Sequence, residues 1–265
     1  MDKYGLIGDP ITHSKSPRMQ MAAIKSAKLN ATYQLLNDHG EKLSAIMARL
    51  RKSNVAGFNV TTPFKQTIIP FLDELDVTAA KIQAVNTVKN VDGKLIGFST
   101  DGSGFWQSVP EIEKLINVAI IGAGGAAKAI IGAAPLTVNI QVFNRESPAF
   151  DEHKAQLAAL FGLELQPLSQ LLTQLESVDL LINATSVGLH DNVSVLSEAD
   201  FELLKANALV IDLVYRHAQT RFLEYARKTE HQTMSGLPML VMQGAHSFKI
   251  WHDKIADIKS MELYL

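Results

Sequence analysis

The chain has 265 residues, 47% of them hydrophobic, with a formal net charge of -2 and no cysteine. That length and apolar share suit one large domain or two ordinary ones, and the absent thiols exclude disulfides and thiolate metal sites. The charge speaks against a nucleic-acid surface, and neither a leader-like apolar stretch in the first 20 residues nor a run of about 18 apolar residues is present. A cytoplasmic protein with no nucleic-acid or membrane partner is expected.

Residues 4–8 read as a short strand, stopped by the turn pair Asp9-Pro10. A polar loop through Ser14 follows, and Pro17 opens a helix over 17–29 with Ser16 as its expected N-cap. Next come a strand over 33–36 and a helix over 42–51, with Leu43, Ile46, Met47 and Leu50 at helical spacing. A strand over 55–60 runs into Thr61, Thr62, Pro63, Phe64 and Lys65, and a helix covers 77–83. Residues 85–91 and 94–98 pair as a hairpin around Asp92-Gly93, and a helix runs from Thr100-Asp101-Gly102 to near Leu115.

The strongest pattern lies in residues 117–145. Val118, Ala119, Ile120 and Ile121 form an apolar run of buried-strand length, followed at once by Gly122, Ala123, Gly124, Gly125 and Ala126. A helix begins there, and a second strand over 139–143 ends before Asn144 and Arg145. Gly122, Gly124 and Ala127 match the dinucleotide fingerprint, in which glycines let a pyrophosphate approach the backbone at a helix N-terminus. Helices over 152–161 and 168–175, strands over 179–183 and 208–212, a helix over 219–228 and a strand over 231–234 continue the alternation. This α/β pattern predicts a Rossmann-type, doubly wound parallel sheet. The tail from Leu237 reads as helix with no strand partner left, and is expected to pack back on the N-terminal unit.

Three polar constellations fall at strand ends before residue 102: Ser14 with Ser16, the stretch from Asn59 through Thr61 to Lys65, and Asn86 with Asp101. Ligands of open α/β sheets bind outside the carboxyl ends of strands, where these groups lie. Each also has a structural use: Ser16 and Asp101 as helix caps, Asn59 and Thr61 as loop partners, and Lys65 as a solvated charge. Asn86, within an apolar strand, needs partners for a buried amide. Eight histidines show no metal-ligand spacing, so no metal site is expected.

Taken together these motifs resemble the shikimate dehydrogenase family. The resemblance runs from Gly8 to Trp251, through Gly8-Asp9-Pro10-Ile11-Thr12-His13-Ser14-Lys15-Ser16-Pro17, the 59–65 stretch, Ala84-Val85-Asn86-Thr87 and Thr100-Asp101-Gly102. It continues through Gly122 to Ala126, Asn183-Ala184-Thr185-Ser186-Val187-Gly188-Leu189, and Met239-Leu240-Val241-Met242-Gln243-Gly244-Ala245. It implies NADP-linked interconversion of 3-dehydroshikimate and shikimate on the route to aromatic amino acids, by a monomer or homodimer. A substrate domain would comprise residues 1–101 and 237–265, and an NADP-binding domain residues 102–236. By the resemblance, Lys65 and Asp101 are the catalytic pair. Ser14 and Ser16 hold the substrate carboxylate, while Asn59, Thr61, Asn86, Asp101 and Gln243 hold ring hydroxyls, with Tyr215 nearby. Gly122, Ala123, Gly124, Gly125, Ala126, Asn144, Arg145, Thr185, Leu213 and Gly236 bind the cofactor.

Several positions depart from the family pattern. Ser99 replaces an Asn, Gln83 replaces a Gly, and the usual Tyr-x-Pro reads Tyr215-Arg216-His217. After the second nucleotide strand, Asn-Arg-Thr becomes Asn144-Arg145-Glu146, with no basic residue among Ser147, Pro148, Ala149 and Phe150. NAD therefore stands as an alternative cofactor, and quinate or dual quinate/shikimate dehydrogenation as an alternative activity. The presence of both serines favours shikimate. A non-catalytic nucleotide and metabolite sensor is a third reading, opposed by the retention of Lys65 and Asp101.

Overall fold

The first strand, β1 (Asp2–Ile7), buries its last four residues, and the chain then mostly alternates strand and helix, except where two strands form a hairpin and where two helices end the chain. The computed structural model describes residues 1–215 and 219–265, so Arg216 and His217 of the altered Tyr-x-Pro motif lie outside the described residues. Two compact units are formed, one from Met1–Phe105 with Leu240–Leu265, the other from Trp106–Met239.

The first unit continues with α1 (Ser16–Ser26), β2 (Ala31–Leu35), α2 (Leu43–Arg51), β3 (Val55–Val60), α3 (Phe64–Thr67) and β4 (Glu74–Leu75). Then follow α4 (Val77–Ile82), β5 (Thr87–Val91), β6 (Lys94–Phe98) and the first residues of α5 (Asp101–Ser108), which from Trp106 onward belongs to the second unit. Its sheet has the order β2-β1-β3-β5-β6-β4. Strands β1, β2 and β3 are parallel, whereas β5 runs antiparallel to both β3 and β6. Asn86 precedes β5 rather than lying inside it. The helix from Asp101 stops at Ser108, well short of Leu115, because Pro110 lacks a backbone N–H and restricts the residue before it.

The second unit is laid out as β7 (Asn117–Ile121), α6 (Gly125–Gly132), β8 (Asn139–Asn144), α7 (Phe150–Phe161), β9 (Leu165–Pro167) and α8 (Leu168–Leu171). It proceeds through β10 (Leu180–Asn183), α9 (Glu198–Phe201), β11 (Leu209–Asp212), α10 (Arg221–Lys228) and β12 (Gln232–Ser235). The strand order is β12-β11-β10-β7-β8-β9, and every pair is parallel. Strands buried on both faces read as continuous apolar runs, which is why β7, β10 and β11 stand out in the sequence. The order reverses between β7 and β10, the switch point at which doubly wound sheets bind nucleotides.

Helices α11 (Leu237–His252) and α12 (Ile258–Glu262) end the chain. From Leu240 onward they belong to the first unit, covering one face of its sheet. Tyr4, Leu6, Met19, Tyr33, Phe248 and Trp251 pack there, and the Trp251 ring donates Nε1–H to the Val88 carbonyl at 2.9 Å. The opposite face buries Phe58, Val60 and Val88 against Ile46, Met47 and Leu50 of α2.

Gln83 explains one departure from the family pattern. It caps α4 in the left-handed region at φ 53°, where a Cβ costs roughly 1–2 kcal/mol that glycine avoids. Its Nε2 returns a bond to the Ala80 carbonyl, but at an exposed position of small net benefit. Gln83→Gly is therefore expected to stabilise the protein by about 1 kcal/mol in denaturant unfolding; a loss of stability would show that the side-chain bond outweighs the strain.

Candidate active site

The polar motifs of the first unit meet at one end of its sheet. β1, β3 and β6 run toward that end and β5 starts from it, since Asn59 lies opposite Thr87 and Thr87 opposite Phe98. The turn after β1, the Thr61-to-Lys65 turn after β3, Asn86 before β5 and Asp101 after β6 are thus brought together.

At the centre, Lys65 Nζ donates to Asp101 Oδ2 at 2.6 Å. The lysine side chain is 28% exposed and the aspartate side chain 9%, so the ammonium reaches solvent while its counter-charge is enclosed. Backbone ties support both groups. Val85 N–H donates to the Lys65 carbonyl, and Asp101 opens α5, where a helix N-terminus favours negative charge.

Asn86, 3% exposed, fixes the carboxylate. Its Oδ1 accepts the Thr100 backbone N–H at 2.8 Å and lies within hydrogen-bond reach of the Thr87 and Thr100 hydroxyls. A backbone N–H only donates, so Oδ1 must face Thr100 and Nδ2 must face Asp101 Oδ1, at 2.8 Å. Nδ2 also meets Gln243 Oε1 at 3.2 Å, and Gln243 Nε2 donates to the Leu240 carbonyl. One oxygen of Asp101 thus takes an amide and the other an ammonium.

Asn59 turns inward. Its Oδ1 accepts from the Tyr33 hydroxyl at 2.8 Å, while Nδ2 donates toward the Asn86 carbonyl, Thr87 Oγ1 and Ser247 Oγ. Burial pushes the Tyr33 phenol well above its usual range, which keeps it a neutral donor. The Asn59 donors are thus committed to the network beneath Asn86.

Ser16 is not the N-cap of α1; Lys15 occupies that position and makes no side-chain cap bond. Ser14 does the capping work instead, its Oγ accepting the Ser16 N–H at 3.2 Å and thereby starting the helix earlier. Among the described residues, the hydroxyls of Ser16 and Thr61 have no protein partner. Thr87 and Thr100, which sit in the quoted motifs beside Asn86 and Asp101 but are assigned no role there, also join the site, as does Ser247, which lies outside those motifs. Ser247 stands four residues after Gln243, a spacing that shares one helix face and is the available signal.

In the second unit the predicted cofactor residues follow the carboxyl ends of five parallel strands. Gly122 follows β7, Asn144 ends β8, Thr185 lies just past β10, Leu213 follows β11 and Gly236 follows β12. Gly122 has φ +109°, and a Cβ there would lie 3.0 Å from the Ala184 carbonyl, so only glycine fits this turn. Gly124 and Gly125 are exposed, and a Cβ at either would meet nothing within 4 Å. That opening lies at the start of α6, whose first backbone N–H groups lack intrahelical partners. The ladder closes only at Lys128, whose N–H is bonded to the Gly124 carbonyl. The cradle fits a pyrophosphate.

Two polar residues steady the neighbouring loops. Asn183 Oδ1 accepts from both the N–H and hydroxyl of Thr185, and its Nδ2 donates to Asp212. Asp212 also accepts from Val214 N–H and the Thr220 hydroxyl; burial nevertheless raises its pKa. Tyr215, beyond β11, is exposed. Arg145 and Glu146 are both exposed and, among the described residues, form no ion pair with each other. Asn144 Oδ1 accepts the Arg145 backbone N–H at 3.0 Å. Among the described residues no group of His, Cys, Asp and Glu is placed to hold a metal ion.

Comparison with known proteins matches residues 6–88 to the shikimate dehydrogenase substrate binding domain and residues 236–262 to the shikimate 5'-dehydrogenase C-terminal domain. The chain is 38% identical over 263 residues to the NADP(+) shikimate dehydrogenase of Pyrococcus abyssi, covering 98% of this chain and 96% of that protein. Against the corresponding enzyme of Staphylococcus haemolyticus it is 36% identical, with 98% and 96% covered. The crystal structure of shikimate 5-dehydrogenase from Thermus thermophilus, in complex with NADP(H) and shikimate, superposes with a TM-score of 0.87. It is 34% identical, with 100% of this chain and 98% of that chain covered.

The Asn86 geometry generates a test. Asn86→Asp would set a second carboxylate against Asp101, and two such groups at hydrogen-bond distance do not both ionise readily. The folded-state pKa of the new acid is then raised above its unfolded value, so its contribution is retained at low pH and lost as pH rises. The variant is expected to be roughly 1–3 kcal/mol less stable relative to the parent above neutrality than near pH ~4. A difference that does not change with pH would show that Asn86 does not contact Asp101.

Proposed function

The chain belongs to the shikimate dehydrogenase family, and we infer that it interconverts 3-dehydroshikimate and shikimate with NADP as cofactor, a step toward the aromatic amino acids. The observation that carries this reading is the partly exposed Lys65 ammonium held by a buried carboxylate at the sheet end where, among the described residues, the Ser16 and Thr61 hydroxyls have no partner.

Ser14 and Ser16 hold the substrate carboxylate by hydroxyl hydrogen bonds. Thr61, Asn86, Asp101 and Gln243 take the ring hydroxyls. Asn59, with its donors committed to Asn86 and its neighbours, acts as a positioning residue. Bound NADPH supplies the hydride in reduction and NADP accepts it in oxidation. As the ketone is reduced, its oxygen gains the electron pair of the C=O bond, and the Lys65 ammonium stabilises that charge and transfers a proton to it. A positioned acid of this kind contributes about 10²–10⁴-fold in rate. Asp101 keeps Nζ oriented through the 2.6 Å bond to Oδ2. In the reverse direction neutral Lys65 takes the hydroxyl proton as hydride leaves carbon.

The second unit holds the cofactor through the opening at Gly124 and Gly125 for the pyrophosphate, through Arg145 for the 2'-phosphate, and through the loops at Thr185, Leu213 and Gly236. Arg145 suits a phosphate because its guanidinium binds two oxygens at once, and it follows a neutral Asn144 rather than the acid typical of NAD sites. Among the described residues no helix is long and apolar enough to cross a membrane. The proposed setting is the cytoplasm, with the chain acting as a monomer or homodimer.

Lys65→Ala is expected to lower kcat by about 10²-fold or more while the shikimate Kd stays within a few-fold, because the lost contact strengthens mainly in the transition state. Near-parental kcat in the folded variant would remove Lys65 from proton transfer. For the cofactor, Arg145→Ala should weaken NADPH binding and spare NADH, and Glu146→Thr should tighten NADPH by relieving repulsion of the phosphate. Fluorescence titration of both reduced cofactors decides this; equal weakening of the two by Arg145→Ala would contradict the assignment.

A further inference from the structure

The loop that carries Ser14 and Ser16 leaves β1 at Gly8, and Gly8 is gripped by a side chain from elsewhere. Asn37, two residues past the end of β2, donates Nδ2–H to the Gly8 carbonyl at 2.9 Å and accepts the Gly8 N–H on Oδ1 at 3.1 Å. The last backbone bond between these strands is Leu36 N–H to the Leu6 carbonyl. The amide of Asn37 therefore continues the β1–β2 ladder by one further rung, where β2 has already ended. Next to it, Asp9 accepts the Gly40 N–H at 3.1 Å and pairs with His39, so the 37–40 loop holds two consecutive residues of the turn.

Gly8 also touches the opposite wall of the site. A Cβ there would lie 2.3 Å from Thr61 Cγ2 and 2.8 Å from Ile11 Cγ2. The Asp9 N–H donates to the Thr62 carbonyl at 3.0 Å, and the Thr61 N–H to the Ile7 carbonyl at 2.9 Å. From Gly8 the chain reaches Ser14 through the bond from Ser14 N–H to the Ile11 carbonyl. The height of Gly8 thus sets the serine loop against Thr61.

We propose that Asn37 is a positioning residue for the substrate: its amide fixes the Gly8 turn, and through that turn the serine hydroxyls that receive the carboxylate. The proposal rests on the assignment of Ser14 and Ser16 to the carboxylate. Asn37 lies outside the catalytic pair, so its removal should leave chemistry and cofactor binding alone while loosening the hold on the substrate acid.

The test compares Asn37→Ala, Asn37→Asp, Ser14→Ala and the double variant Asn37→Ala/Ser14→Ala in the full-length protein, with shikimate and NADP as substrates. Asn37→Asp keeps an acceptor for the Gly8 N–H but loses the donor to its carbonyl, and so serves where the alanine variant folds poorly. Loss of such bonds is expected to raise the shikimate KM roughly 3- to 10-fold in both Asn37 variants. The NADP KM and kcat should stay within about 2-fold, and the effect of Asn37→Ala should shrink in the Ser14→Ala background, as coupled residues do. A parental shikimate KM in a folded Asn37 variant overturns the inference even where Ser14→Ala raises KM. Equal rises in both KM values, or full additivity with Ser14→Ala, overturn it as well, because a merely structural tie would behave so. A parental KM in Ser14→Ala overturns the serine assignment itself and the inference with it.

Discussion

The contact between Lys65 Nζ and Asp101 Oδ2, at 2.6 Å, is the interaction around which the first unit is arranged. A group that hands a proton to the substrate must be held in one orientation, and one enclosed carboxylate supplies that hold. That carboxylate is in turn directed by Asn86, whose amide has no freedom to flip while Thr100 N–H donates to its oxygen. Beneath lies a second layer of neutral polar groups, Tyr33, Asn59, Thr87 and Ser247. Buried polar groups are tolerable only when their partners are supplied, and here each partner also narrows the position of the one above it. Three strands and α11 contribute to this stack, so the site depends on the whole sheet rather than on one loop.

The nucleotide unit meets a different requirement with simpler means. An anionic ligand needs open backbone N–H groups and close approach, and the β7–α6 turn provides both through Gly122, Gly124 and Gly125. The other residues proposed to hold the cofactor follow the ends of neighbouring parallel strands, which a doubly wound sheet delivers to one edge without further design. Asp212 and Asn183 supply the local order, tying the loops after β10 and β11 to each other.

Much of this is legible in the sequence because it is written locally. The apolar runs of β7, β10 and β11, the Asp92-Gly93 hairpin and the glycine turn each declare themselves within a few residues. The short elements β4, β9 and α9 do not, since two to four residues establish no periodicity. The helix from Asp101 is shorter than its pattern suggests, because apolar residues continue past Pro110 while the backbone cannot. Residue type points to Ser16 as the cap of α1, whereas the chain starts the helix one position earlier and gives that task to Ser14. Harder still is the orientation of Asn59. Its partner Ser247 is 188 residues away, and no local signal tells a substrate amide from one turned into the core. The same holds for Asn37, whose partner is the backbone of Gly8 and so leaves no side-chain pattern to find.

The central claim is that the serine loop and the lysine–aspartate pair together define a dehydrogenase for shikimate. Initial rates of NADP reduction by the parent protein, with shikimate and with quinate at matched concentrations, test it most directly. Quinate carries an added hydroxyl beside the carboxylate that Ser14 and Ser16 are assigned to hold. The account predicts turnover of shikimate with kcat/KM at least about 10-fold above that for quinate, the scale on which a shaped pocket discriminates. Equal or better turnover of quinate, or no turnover of shikimate with NADP, would contradict it.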